Sequence, residues 1–180
     1  MSFLKKDEIN QKPIKMALNF KKFAQDGEQF VRDVRVTQIY EGTHGIQALD
    51  LLGRKVLQLG LLDRFTVPAA AELAVASTDD RLRHLAGPAL SAIGLLKEST
   101  SLLHLRASDP AEVGSAASEY LRLFALTALG YLWTRMARLA VATRDDAFTS
   151  AKLAGAEFYI TRILPQTAAL HAAVAAGAVP

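Results

Sequence analysis

What most limits the fold of this 180-residue chain is the spacing of its apolar residues, which recur every three or four positions over most of its length. Between His44 and Leu57, for example, Ile46, Leu49, Leu52 and Val56 fall at intervals that collect them on one side of an α-helix. No run alternates apolar and polar residues as a half-buried strand would. The spacing predicts an all-α fold.

Capping and breaking residues divide the pattern. Glu28 to Arg35 reads as a short helix, and the β-branched stretch from Val36 to Tyr40 suits an extended connection punctuated by Gly42 and Gly45. Thr43 stands at an N-cap position before a helix that Gly60 ends. A shorter helix is expected over Val67 to Ala76. Asp79 and Asp80 can cap a helix from Arg81 to about Leu105, bent at Gly87-Pro88. Asp109-Pro110 opens another that runs to Ala142, with Tyr120, Phe124, Leu129 and Trp133 as its expected inner face. The last runs from Asp145 or Asp146 to Ala176 and bends at Pro165. Three long helices and their short companions predict an up-and-down antiparallel helical bundle.

Composition closes several routes to function. The chain has no cysteine, so disulfides, thiolate metal sites and cysteine nucleophiles are excluded. Leu123 to Thr134 is an apolar run bounded by Arg122 and Arg135, too short for a membrane span and read as a buried helix. The amino terminus lacks the apolar core of a signal peptide, which leaves a cytoplasmic location as the default. The net charge of +3 comes from residues 1–36, while the remainder is balanced, so no basic face for nucleic acid is expected. His84, His104 and His171 have no metal-ligand spacing, and Ser99, Ser101, Ser115 and Ser118 have no base at motif spacing. The first 22 residues hold six lysines and no arginine, after which arginine prevails. That change marks residues 1–27 as a segment foreign to the rest, in preference to a functional amphipathic helix.

One carboxylate stands out. Glu41 lies between Tyr40 and Gly42 in a stretch feeding a helix start. A loop there can present it as a general base, with Gly42 letting a substrate approach the backbone. On the spacing alone, a surface or capping role is the better-supported reading.

The stretch Gln38-Ile39-Tyr40-Glu41-Gly42-Thr43, followed by Gly45-Ile46-Gln47, resembles the signature near the end of acyl-CoA dehydrogenases. Arg32-Asp33 with Arg35 is similar to the segment leading into it. The run from His44 to Lys55 is closest to the large members, such as the 3-methylmercaptopropionyl-CoA dehydrogenase group, which carry an extra helical domain. Tyr120 to Ala125, Gly130 to Trp133, Ala151 to Tyr159 and Leu164 to Ala168 resemble recurrent segments of that domain.

The resemblance implies three regions: residues 1–27 outside the family, 28–60 the end of the catalytic helical domain, and 61–180 the extra bundle. It implies that Glu41 removes the α-proton of an acyl-CoA thioester while hydride passes to FAD. Gly42 matches the glycine beside the substrate, and Thr43 a residue near the FAD pyrophosphate. Gly45 replaces a glutamine that touches FAD in many relatives. Electron-transfer flavoprotein and a second copy of the chain are the implied partners. Most flavin and CoA contacts in the family come from domains ahead of this point, so the isolated chain is expected neither to retain FAD nor to dehydrogenate acyl-CoA. The alternative is a non-catalytic helical interaction or oligomerisation module derived from the family.

Overall fold

The computed structural model describes residues 28, 29, 31–33, 35, 37, 43–143 and 146–178, and among them every regular element is a helix. The chain divides into two compact units, Met1–Thr43 and His44–Pro180. In the first, Glu28, Gln29, 31–33 and Arg35 are helical. Arg32 donates to Glu28 at 2.6 Å and Gln29 to Asp33 at 2.8 Å, pairs four residues apart that support a solvated helix face. Thr37, in the stretch expected to be extended, sits in a 3₁₀ turn. Its neighbours Val36 and 38–40 lie outside the described residues.

The second unit is the expected up-and-down antiparallel bundle. Helix α1 (His44–Leu49) runs directly into a π-helical segment (Asp50–Gln58). Then come α2 (Leu62–Ala76), α3 (Arg83–Arg106) and α4 (Pro110–Ala142). Helix α5 (Asp146–Phe158) leads into a π-helical turn (Tyr159–Ile163), and α6 (Gln166–Ala176) closes the chain. Within this unit all the other helices pack against α4, whose 33 residues extend for about 50 Å. No helix among the described residues is long and apolar enough to cross a membrane.

Helix α4 is central because its buried face is made of small residues. Asp109 caps it by accepting the Ala111 N–H at 2.8 Å, and Pro110 occupies the first helical position, where no N–H is needed. Tyr120 and Leu123 are buried with Ala116, Ala117, Thr127, Gly130, Thr134, Ala137 and Ala140. The hydroxyls of Thr127 and Thr134 donate to the carbonyls of Leu123 and Gly130, which satisfies them inside the helix and lets neighbours close in. Tyr120 holds its expected inward place, but Leu129 is 44% exposed. Beyond Leu123 the buried stripe follows the small residues Thr127, Gly130, Thr134, Ala137 and Ala140.

The core has two clusters. One collects Ala48, Leu52 and Val56 with Leu96, Leu103, Tyr120, Leu123 and Val174. The other collects Leu73, Leu82, Leu85 and Ile93 with Ala137, Ala156, Tyr159, Ile160 and Leu164. Phe65 packs against both. Each fully buried leucine contributes about 1.5–3 kcal/mol over leaving it in water.

Helix ends follow local chemistry with three departures. Gly60 stops the π segment with φ 61°, as expected, while Leu61 donates to Lys55 and Gly60 to Val56. Helix α2 starts at Leu62, five residues before the expected start at Val67, because Pro68 is inside the helix and not at its opening. Pro68 and Arg64 are both exposed, so water can serve the carbonyl that the missing N–H leaves. Asp79 accepts both the amide and the guanidinium of Arg81, so it caps a turn and α3 begins two residues later, at Arg83. Ahead of Pro165, Leu164 donates to Tyr159 at 2.9 Å, five positions back. That wider turn accommodates the proline ring, and α6 restarts after it.

Candidate functional site

Glu41 and Gly42 lie outside the described residues, as does Tyr40. Thr43 is half-buried and directly precedes α1. In α1 the side chains of His44, Ile46 and Gln47 are exposed, whereas Ala48 is buried in one core cluster with Leu52 and Val56 of the π segment. The helix is thus held by its carboxyl-terminal side while its first turn stays open. A Cβ added at Gly45 would meet nothing within 4 Å, so this position is uncrowded. First-turn amides have no acceptor within their own helix and favour an anion.

The first carboxylate along the chain after Thr43 is Asp50, and it is already engaged. It pairs with Arg54 at 2.5 Å and Lys55 at 3.0 Å, four and five positions on. π winding brings both cations to the same side. Hydrogen bonds from Arg54, then Lys55, hold the Asp50 carboxyl down at about 2. Asp50 is therefore an ionised structural group at neutral pH, not a proton acceptor for catalysis.

The bundle assembles polar groups that spacing did not single out. His171, expected to be isolated, is bonded through Nδ1 to Ser99 Oγ at 2.8 Å, and Glu98 lies 3.8 Å from Nε2. The partners are 72 residues apart, and only the packing of α3 on α6 joins them. Ser99 is fully buried, so this serine, histidine and glutamate set has no open face for a nucleophile. It ties two helices together.

Tyr120 is also fully buried, with its hydroxyl 2.6 Å from Thr100 Oγ1. Thr100 donates onward to Leu96 O, so Tyr120 is the donor of the pair. Burial pushes the phenol up to about 12. A cavity of about 280 Å³ opens above Thr100, lined by Gly60, Leu62, Asp63, Lys97, Ser101 and His104. On α4, Arg135 and Arg138 share the single carboxylate of Glu72 at 3.5 and 3.7 Å. Among the described residues no group of three histidines or carboxylates is placed to hold a metal ion.

Comparison with known proteins adds to this geometry. Residues 65–180 match the family described as acetyl-CoA dehydrogenase C-terminal like. The chain is 34% identical over 158 residues to 3-methylmercaptopropionyl-CoA dehydrogenase of Ruegeria pomeroyi, a match that covers 81% of this chain and 26% of that protein. It therefore spans about a quarter of the length of the curated relative it matches.

Proposed function

Because the chain belongs to the acyl-CoA dehydrogenase family, as its carboxy-terminal region, we propose that it completes the active site of an enzyme that dehydrogenates an acyl-CoA thioester between its α and β carbons. Glu41 is the general base that removes the α-proton. The N–H of Glu41 donates to the thioester carbonyl and stabilises the negative charge that develops there, as an oxyanion hole does. Gly42, without a side chain, lets the thioester lie against the backbone. Thr43 is the residue that lies near the pyrophosphate of FAD. FAD, which the family implies, would supply the acceptor for the hydride of the β carbon.

The observation that carries this reading is the anchoring of α1. Ala48, Leu52 and Val56 fix the helix into the bundle core while its first turn is open. The commitment of Asp50 to Arg54 and Lys55 adds to it, since that carboxylate is spoken for. On the same reading, residues 28–60 belong to the catalytic helical domain and residues 61–180 form an appended bundle. Electron-transfer flavoprotein takes the electrons, and the enzyme works as a homo-oligomer.

These 180 residues by themselves are expected to carry no flavin. The test mixes them with a separately expressed amino-terminal portion of a family enzyme. Restored flavin absorbance and acyl-CoA dehydrogenation, with the activity lost in Glu41→Gln, supports the proposal. Flavin binding without any activity, or activity untouched by Glu41→Gln, sinks it. A non-catalytic helical module is the second reading, favoured by the closed core of His44–Pro180; no complementation under any mixing ratio would favour it.

A further inference from the structure

Helix α4 presents a second, unused face. Leu129, Leu132, Met136 and Leu139 lie at successive intervals of three, four and three residues and are each 36% to 53% exposed. Exposed Ala125 extends the series by one step. This is the spacing of a and d positions in a two-helix seam, on the side of α4 away from its buried stripe. The apolar surface continues across a groove to exposed Val75 of α2, which lines the same cavity of about 370 Å³ as Leu139. Large side chains in one row, partly inset between flanking groups, provide knobs and holes for another helix.

Charge selects the kind of helix. Arg122, at the amino-terminal end of the seam, is bonded to the neutral side chain of Gln166. Arg135 and Arg138, toward the other end, share one carboxylate, Glu72, at distances beyond a good hydrogen bond. Arg81 and Asp79, paired with each other, also line the groove, so among the described residues four guanidinium groups border this surface against the two carboxylates of Glu72 and Asp79. A second copy of the chain would bring like charge against like charge. A lipid surface would require the apolar side chains to protrude, and these are half sunk.

We infer that the Leu129–Leu139 face of α4 docks an amphipathic helix from another polypeptide, one whose apolar seam is flanked by glutamate or aspartate. The inference is independent of the role proposed for Glu41.

The probe is a pair of labelled synthetic helical peptides with the same leucine seam, one flanked by glutamate and one by lysine, titrated into the 180-residue chain by fluorescence anisotropy. The acidic peptide should bind at least about tenfold more tightly than the basic one and weaken as salt rises. Leu132→Glu and, separately, Arg122→Gln with Arg135→Gln should each weaken binding by about tenfold or more. The substituted side chains are on the surface, so far-UV circular dichroism and melting temperature should be unchanged and show that the loss is local. Equal binding of both peptides, or none, overturns the inference. So does a dimer in sedimentation that Leu132→Glu dissociates, or tighter capture by anionic lipid vesicles than by the acidic peptide.

Discussion

The two ends of the bundle solve the same packing problem differently. Around Tyr120 one large side chain fills the space between α3, α4 and the π segment, and its hydroxyl is anchored by Thr100. At the other end two aromatic rings share the work: Trp133 stacks on Tyr159 with centroids 6.3 Å apart, and Tyr159 donates to Leu126 O at 3.1 Å. There the fit depends on an absent side chain. A Cβ at Gly155 would stand 2.9 Å from the Trp133 ring. Phe65 joins the two ends, touching Phe124 at 5.1 Å and Tyr131 at 6.1 Å between ring centroids. One end is thus vulnerable to removal of atoms, and the other to their addition.

That contrast can be broken at its strongest point by Tyr120→Ala. It should cost about 3–5 kcal/mol through the cavity it leaves, read as a lowered denaturant midpoint. A loss under 1 kcal/mol would mean that the cluster collapses to fill the gap. At the opposite end Gly155→Ala should cost about 1–3 kcal/mol, because a rigid indole must shift. Gly130→Ala meets only the flexible methyl end of Leu164, at 2.9 Å, and should cost less. If the two glycines respond alike, rigidity of the neighbour is not what matters.

Alkaline pH sharpens the comparison from the Tyr120 side. Its phenol titrates near 10 when unfolded and at about 12 when folded, so between these values the unfolded state has lost more protons. Stability should be intact below pH 10 and fall as pH rises toward 12, by up to about 1.4 kcal/mol per unit. Burial also raises Tyr131 and Tyr159, so Tyr120→Phe should flatten the slope without abolishing it. The smallest expected change is a gain. Gly94 has nothing within 4 Å of a would-be Cβ and lies inside α3. Gly94→Ala should raise stability by roughly 0.5–1 kcal/mol in thermal unfolding.

Much of this architecture is written locally. Asp109-Pro110 and Gly60 act within a turn of themselves, and the structure places both where their chemistry requires. The start of α2 at Leu62 was not legible, because a proline at a helix start and one on an exposed flank inside a helix look the same in sequence. Leu129 misled because helical spacing specifies faces but not which face is covered, and alanine and threonine took the inner one. The bond between Ser99 and His171 was illegible for another reason, since only tertiary packing spans 72 residues. For the candidate site, the anchoring of α1 was legible in Leu52 and Val56. The engagement of Asp50 by Lys55 was not, because it depends on winding that a three- and four-residue spacing does not reveal.

That winding has a further consequence. A π turn takes in one residue more than an α turn, so the number of residues in Asp50–Gln58, as much as their identity, sets the direction in which His44–Leu49 faces relative to the buried Leu52 and Val56. Deleting or adding a single residue there would turn the first helix about its own axis and carry Ala48 away from the core it shares with Leu52 and Val56. In such a segment chain length acts as a dial, and one residue more or less would change which side of His44–Leu49 faces the core.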